Sequence, residues 1–137
     1  MNTNPAELWA LLPLGYLLSV VLETPVLLVG LSPRHSLARR LVAGVWLTAC
    51  TYPIVVLVLP QLIWRPLGEA GYWPYVAAAE IFAPAAECVL FWLAFWKLDR
   101  SESDQLRRHD FVRDMLAIVA ANLTSFIAGY WIFDWLL

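Results

Sequence analysis

Four long hydrophobic runs divide the chain, and short or polar segments separate them. The runs cover residues 8–31, 41–63, 74–96 and 115–137. Each has about 23 residues, which is enough for a helix to cross the hydrocarbon core of a bilayer. The pattern predicts an all-α membrane protein with a single transmembrane domain over residues 1–137. We expect an up-down-up-down bundle of four transmembrane helices.

The composition strengthens the membrane assignment. Hydrophobic residues make up 61% of the chain and charged residues 15%, whereas a soluble domain has about 45–50% and 25%. The net charge of −2 argues against a nucleic-acid partner, which needs a concentrated basic surface. Cys50 and Cys88 lie inside hydrophobic runs, and we expect both to pack as small apolar side chains. The expected partner is therefore the lipid bilayer.

The positive charges predict the orientation. Eight of the nine Lys and Arg residues lie in the segments 32–40 and 97–114, and the ninth is Arg65. The positive-inside rule makes these two loops cytoplasmic and places both termini outside. We expect a multi-pass protein of the inner (plasma) membrane whose first run is retained as a helix. The fourth helix should begin within 97–114, so that this charged segment is either a solvated helix end or a docking surface for a cytoplasmic partner.

Three carboxylates interrupt the hydrophobic runs and mark a candidate ion or proton site. Glu80 and Glu87 are seven residues apart, two helical turns, so both lie on one face of the third helix. Glu23 lies in the first helix. A glutamate that faces lipid costs several kcal/mol. All three should therefore face a protein-lined interior.

Helical rise of about 1.5 Å per residue places Glu23 and Glu87 at similar depths, and Glu80 about 10 Å further out. Helices 2 and 4 contribute uncharged polar residues at the depth of the first two glutamates, so we predict one polar layer near mid-membrane. A low dielectric favours the neutral acid, and we expect at least one of these glutamates to be protonated at neutral pH. The uncharged members of the layer are Thr48, Thr51, Tyr52, Asn122 and Ser125.

Three prolines accompany the polar layer, and we predict a helix kink at each: Pro25, Pro53 and Pro84. A proline inside a helix removes a backbone donor and frees the carbonyl four residues earlier. In hydrocarbon that carbonyl must find another partner or water. The kinks therefore either build a small hydrated pocket or only shape the helix packing.

Short motifs in all four runs resemble those of small four-helix bacterial inner-membrane proteins of no assigned function. Such proteins often carry Asn at the position of Thr48 and His at that of Tyr52, so this chain lacks a histidine that would suit a metal or a proton carrier. The resemblance implies a fold and a location, but no activity. The motifs are Glu23-Thr-Pro25, Thr48 to Pro53, Ala79-Glu80 with Glu87, and Asn122 to Ser125 with Gly129.

Two functions remain open from the sequence. Carboxylates at successive depths suit a proton- or cation-linked transporter or channel component. The same polar layer also suits an accessory or structural subunit, in which hydrogen bonds fix the helix register, within a homo-oligomer or a larger membrane complex. A metal site is disfavoured because both histidines, His35 and His109, lie in loops. No cofactor and no enzymatic activity are expected.

Overall fold

The computed structural model describes residues 5–96 and 104–136, and these residues are helical with no strand among them. Helix α1 covers Pro5–Gly30, α2 covers Leu37–Pro53, α3 covers Tyr72–Phe91 and α4 covers Asp104–Leu136. Three helical stretches are long and apolar enough to cross a membrane: Leu8–Gly30, Leu37–Trp96 and Arg107–Ile132.

The chain between α2 and α3 stays helical but changes its helix type. Two π-helical turns, Ile54–Val58 and Pro60–Trp64, follow α2, and a single α-helical turn, Arg65–Leu67, comes next. A 3-10 turn, Gly68–Gly71, leads into α3, which itself ends in a π-helical turn, Trp92–Trp96. The second and third predicted helices are thus parts of one helical stretch.

That stretch folds back on itself at Gly68. Gly68 has φ +59°, the single positive φ among the described residues, and glycine adopts this conformation without a steric penalty. A straight helix would place Thr51 and Glu87 about 54 Å apart, yet the Thr51 hydroxyl lies 2.7 Å from the Glu87 carboxylate. Trp64 also stacks on Tyr75, with 5.7 Å between ring centroids. α3 therefore packs against α2.

The helix starts follow local chemistry. The Ser36 side chain caps α2 by accepting a hydrogen bond from the Arg39 backbone N–H, and α2 consequently begins four residues before the predicted run. α4 begins at Asp104, about three turns before the hydrophobic run at Met115. Residues 97–103, the rest of the predicted second loop, lie outside the described part of the chain.

A hydrophobic core joins the four helices near one end of the bundle. α1 packs against α2 and α4, and α3 also contacts both of them. Large apolar side chains outside the core are exposed, for instance Val29 at 79% and Ile81 at 70%, as expected of helices that face lipid. The core residues are Leu27, Leu31, Ala43, Leu47, Phe91, Trp96, Ala117, Ile118 and Ala121.

Candidate functional site

Glu23 of α1 and Glu87 of α3 are both buried in the interior of the bundle. Glu23 is 4% exposed and Glu87 is 2% exposed. The two carboxyl groups are close enough for a charge on Glu23 to act on Glu87. The two acids predicted to share an interior therefore do so.

Glu87 is bound from two other helices. The Thr51 hydroxyl of α2 donates to Oε1 at 2.7 Å, and the Asn122 amide of α4 donates to Oε2 at 2.7 Å. The same amide nitrogen donates its second hydrogen to the Ile118 carbonyl at 3.1 Å. Asn122 is thus fixed by its own helix before it meets the carboxylate.

Glu23 has equivalent partners one position along each helix. The Thr48 hydroxyl donates to Oε2 at 2.8 Å. The Ser125 hydroxyl of α4 also lies within hydrogen-bonding reach of the Glu23 carboxylate. Thr48 and Ser125 lie about one helical turn from Thr51 and Asn122 respectively. All four helices therefore contribute to one polar layer.

The hydroxyl groups in this layer have more acceptors than hydrogens. Thr48 also lies 2.8 Å from the Gly44 carbonyl, and Thr51 lies 3.1 Å from the Leu47 carbonyl. Each hydroxyl has one hydrogen and can accept another. A glutamate that carries its own proton resolves this shortage, because it donates to the hydroxyl and the hydroxyl then donates to the carbonyl. The layer is therefore suited to neutral carboxyl groups.

Glu80 and Tyr52 lie apart from this layer. Glu80 is half-buried, and its acidic neighbour is Glu23. Tyr52 is also half-buried, and its hydroxyl lies directly over Gly15 of α1, where an added Cβ would be 1.7 Å from the oxygen. Gly15 precedes Glu23 by two turns, about 12 Å. The structure thus places Tyr52 further out than the four residues that contact the glutamates.

The three predicted kink prolines occupy different settings. Pro53 ends α2 and directly precedes the first π-helical turn. A local π-helical widening is one way for a membrane helix to accommodate a proline. Pro25 and Pro84 lie inside continuous α-helix. Only at Pro53 does the helix type change.

A second buried polar cluster, which the sequence analysis did not identify, surrounds Asp114 of α4. Its side chain is fully buried and accepts four hydrogen bonds. Ser32 donates its backbone N–H to Oδ1 at 2.6 Å and its hydroxyl to Oδ2 at 3.1 Å. The His35 Nε2 lies 2.7 Å and the Trp96 Nε1 3.1 Å from Oδ2. One carboxylate therefore ties together the ends of α1 and α3 and the segment before α2.

Arginines cap the end of α1 beside this cluster. Arg40 donates to the carbonyls of Leu28 and Ser32 at 2.6 and 3.1 Å. Arg113 donates to the Gly30 carbonyl at 2.8 Å. Cations favour the C-terminal end of a helix because its last carbonyls lack helical donors. These arginines therefore have a structural role as well as a topological one.

The described residues contain no group of three or more His, Cys, Asp or Glu side chains spaced to hold a metal ion. Comparison of the chain with known protein families, with curated proteins and with solved structures finds no match in any of the three. The polar layer itself is therefore the basis for a functional proposal.

Proposed function

We propose that this protein is a small integral membrane protein whose buried glutamate pair, Glu23 and Glu87, takes up and releases protons as part of a proton- or cation-linked transporter or channel. The observation that carries the proposal is the pair itself. Two carboxyl groups from different helices are buried together, and their hydrogen-bond donors are hydroxyl and amide groups rather than Lys or Arg.

The absence of a cationic donor in this layer has an energetic consequence. An ionised carboxylate buried without a counterion costs several kcal/mol. Binding a proton or a small cation removes that charge. A group that is neutral when enclosed and ionised when it meets water can carry a proton from one side to the other. Glu80, half-buried and further out along the same helix, supplies a second acidic group on that route.

The proposal includes four membrane crossings, with both termini outside. The fold-back at Gly68 supports two crossings for Leu37–Trp96, and the positive-inside rule supports cytoplasmic placement of the arginine-rich end. Single cysteines at Glu69 and at Arg39, in a chain with Cys50 and Cys88 replaced by alanine, test this. A membrane-impermeant maleimide added to intact cells should label only the first. Labelling of Arg39→Cys alone would reverse the orientation.

Reconstitution tests proton movement. The purified protein in liposomes with an internal pH-sensitive dye should acidify the lumen when a potassium diffusion potential is imposed. Glu87→Gln should abolish this flux, because the amide keeps the hydrogen-bonding shape but cannot titrate. Glu69→Gln, an exposed acid in the turn, is the matched control and should leave the flux unchanged. Flux equal in Glu87→Gln and the unmodified protein would refute the assignment; sodium-dependent flux would identify the cation instead.

An accessory subunit is the second candidate. It is favoured by the way every helix is hydrogen-bonded to the polar layer, which suits a fixed register. In that case Glu87→Gln should retain full function, since Thr51 and Asn122 can still bind the amide after a flip. Stoichiometric co-purification of a larger membrane protein, or a stable homo-oligomer in detergent, would support this alternative.

A further inference from the structure

His35 occupies a closed aromatic site at the arginine-rich end of the bundle. It is 2% exposed, although it lies between two helices. Its ring meets Phe91 at a centroid distance of 5.1 Å, and Phe95 and Trp96 at 6.2 Å each, all in edge-to-face arrangements. A histidine so enclosed is not a solvated loop residue.

The contacts of Asp114 determine the tautomer of His35. Oδ2 of Asp114 accepts hydrogen bonds from Trp96 and from the Ser32 hydroxyl, so this oxygen acts as an acceptor. The His35 Nε2, 2.7 Å away, must therefore carry a hydrogen. The other ring nitrogen, Nδ1, is buried and has no hydrogen-bond partner among the described residues. It is consequently the one position where the ring can take a second proton.

The charges around the ring oppose one another. Asp114 favours an imidazolium. Arg34, whose guanidinium stacks on the Trp96 ring at 4.0 Å, and Arg40, whose Nε donates to the His35 carbonyl at 3.0 Å, disfavour it. The three side chains that α3 places against the ring are uncharged aromatics. Further positive charges on the neighbouring elements are those of Arg39, Arg107 and Arg113.

We propose that His35, held through Nε2 by Asp114, is a second proton-binding site of this protein, which accepts its proton at Nδ1 and lies at the end of the bundle remote from Glu80. Protonation places a charged N–H in an aromatic site that offers it no oxygen acceptor. The neutral and charged rings therefore favour different packing of the surrounding side chains.

Phe91 connects this site to the glutamate layer. It contacts the His35 ring and is fully buried in the hydrophobic core, together with Leu27, Leu47 and Ile118. It also lies one helical turn from Glu87 on α3. A change in packing at His35 thus acts first on the core that separates the two polar sites. The link to transport rests on the proposed function, whereas proton binding by His35 does not.

Nuclear magnetic resonance of the histidine nitrogens tests the site directly. The full-length protein, labelled with nitrogen-15 in histidine and placed in nanodiscs, should be measured as His109→Gln, so that His35 gives the single histidine signal. At high pH we expect a protonated Nε2 and a lone pair on Nδ1. On acidification within the folded range, Nδ1 should change to the protonated type. A ring with its hydrogen on Nδ1 at high pH, or one that never changes, overturns the proposal.

Two variants separate the site from a general pH effect. Asp114→Asn removes the anion, and proton uptake by His35 should then require a lower pH. Asp110→Asn lies beside His109, 3.8 Å from its ring, and should leave the His35 signal unchanged in the same background. Identical titrations in both variants would overturn the role of Asp114. If Asp114→Asn does not fold, the tautomer in the His109→Gln protein decides the matter. A titrating His35 without proton flux would leave this site standing and remove the transport proposal.

Discussion

Replacing Asp114 with alanine should destabilise the protein more than any other single change at the arginine-rich end. The substitution leaves the Ser32 N–H, the Ser32 hydroxyl, the His35 Nε2–H and the Trp96 indole N–H without their acceptor. The Ser32 hydroxyl can rotate, but the other three donors are fixed. Each unsatisfied buried donor costs about 1–3 kcal/mol, and removal of one partner of a buried pair costs about 3–5 kcal/mol. We therefore expect a loss of about 3–5 kcal/mol.

The chain contains its own reporters for this measurement. Cys50 and Cys88 are free and half-buried, so a thiol-reactive dye that fluoresces on coupling follows thermal unfolding in detergent. For a chain of this size the expected loss corresponds to a fall in the melting temperature of roughly 10–20 °C. Asp114→Asn, which retains one acceptor oxygen, should give an intermediate value.

Asp110→Ala is the matched control. It removes the same charge from the same helix, one turn earlier, at a position where the side chain is 25% exposed. A surface change of this kind costs about 0.5 kcal/mol or less. Equal melting temperatures for Asp110→Ala and Asp114→Ala would show that the four buried hydrogen bonds do not stabilise the bundle, and the reasoning about this cluster would then fail.

Three further outcomes can be measured with the same preparations. Gly44→Ala should lower the melting temperature, because the new Cβ would lie 2.5 Å from the Thr24 hydroxyl and 3.2 Å from its backbone, whereas Gly129→Ala, with open space around it, should be neutral or stabilising; a reversed order would contradict the close helix approach. Thr51→Val should cost about 1–2 kcal/mol, and Thr124→Val, at an exposed position, should cost less. Infrared spectra at neutral pH should contain a protonated-carboxyl band that weakens as the pH rises, since the neutral acid loses its proton; no such band would mean that the buried glutamates are ionised.

The hydrophobic pattern and helical geometry were sufficient to predict which acids are buried. Glu23 and Glu87 could be placed at one depth from the helical rise alone, and Thr48, Thr51 and Asn122 followed because they share that depth. Tyr52 was harder to place, since the direction of a long side chain depends on the neighbouring helix. Its hydroxyl occupies the space above Gly15.

The Asp114 cluster escaped prediction for a different reason. Asp114 and His35 are 79 residues apart in the chain, and each lies among other charged residues that periodicity treats as solvent-facing. Nothing local distinguishes Asp114 from Asp110. The one available signal was position, because Asp114 directly precedes the hydrophobic run, where the helix enters the packed core.

The π-helical turns after Pro53 have a consequence for any scanning experiment on this chain. A π-helical turn contains more residues than an α-helical turn, so each of the two turns between Ile54 and Trp64 rotates the following side chains by roughly a quarter of a revolution relative to an unbroken α-helix. A helical wheel drawn from Leu37 onward would consequently assign the wrong side to residues beyond Val58. A tolerance profile along this segment should change phase twice before it reaches Gly68.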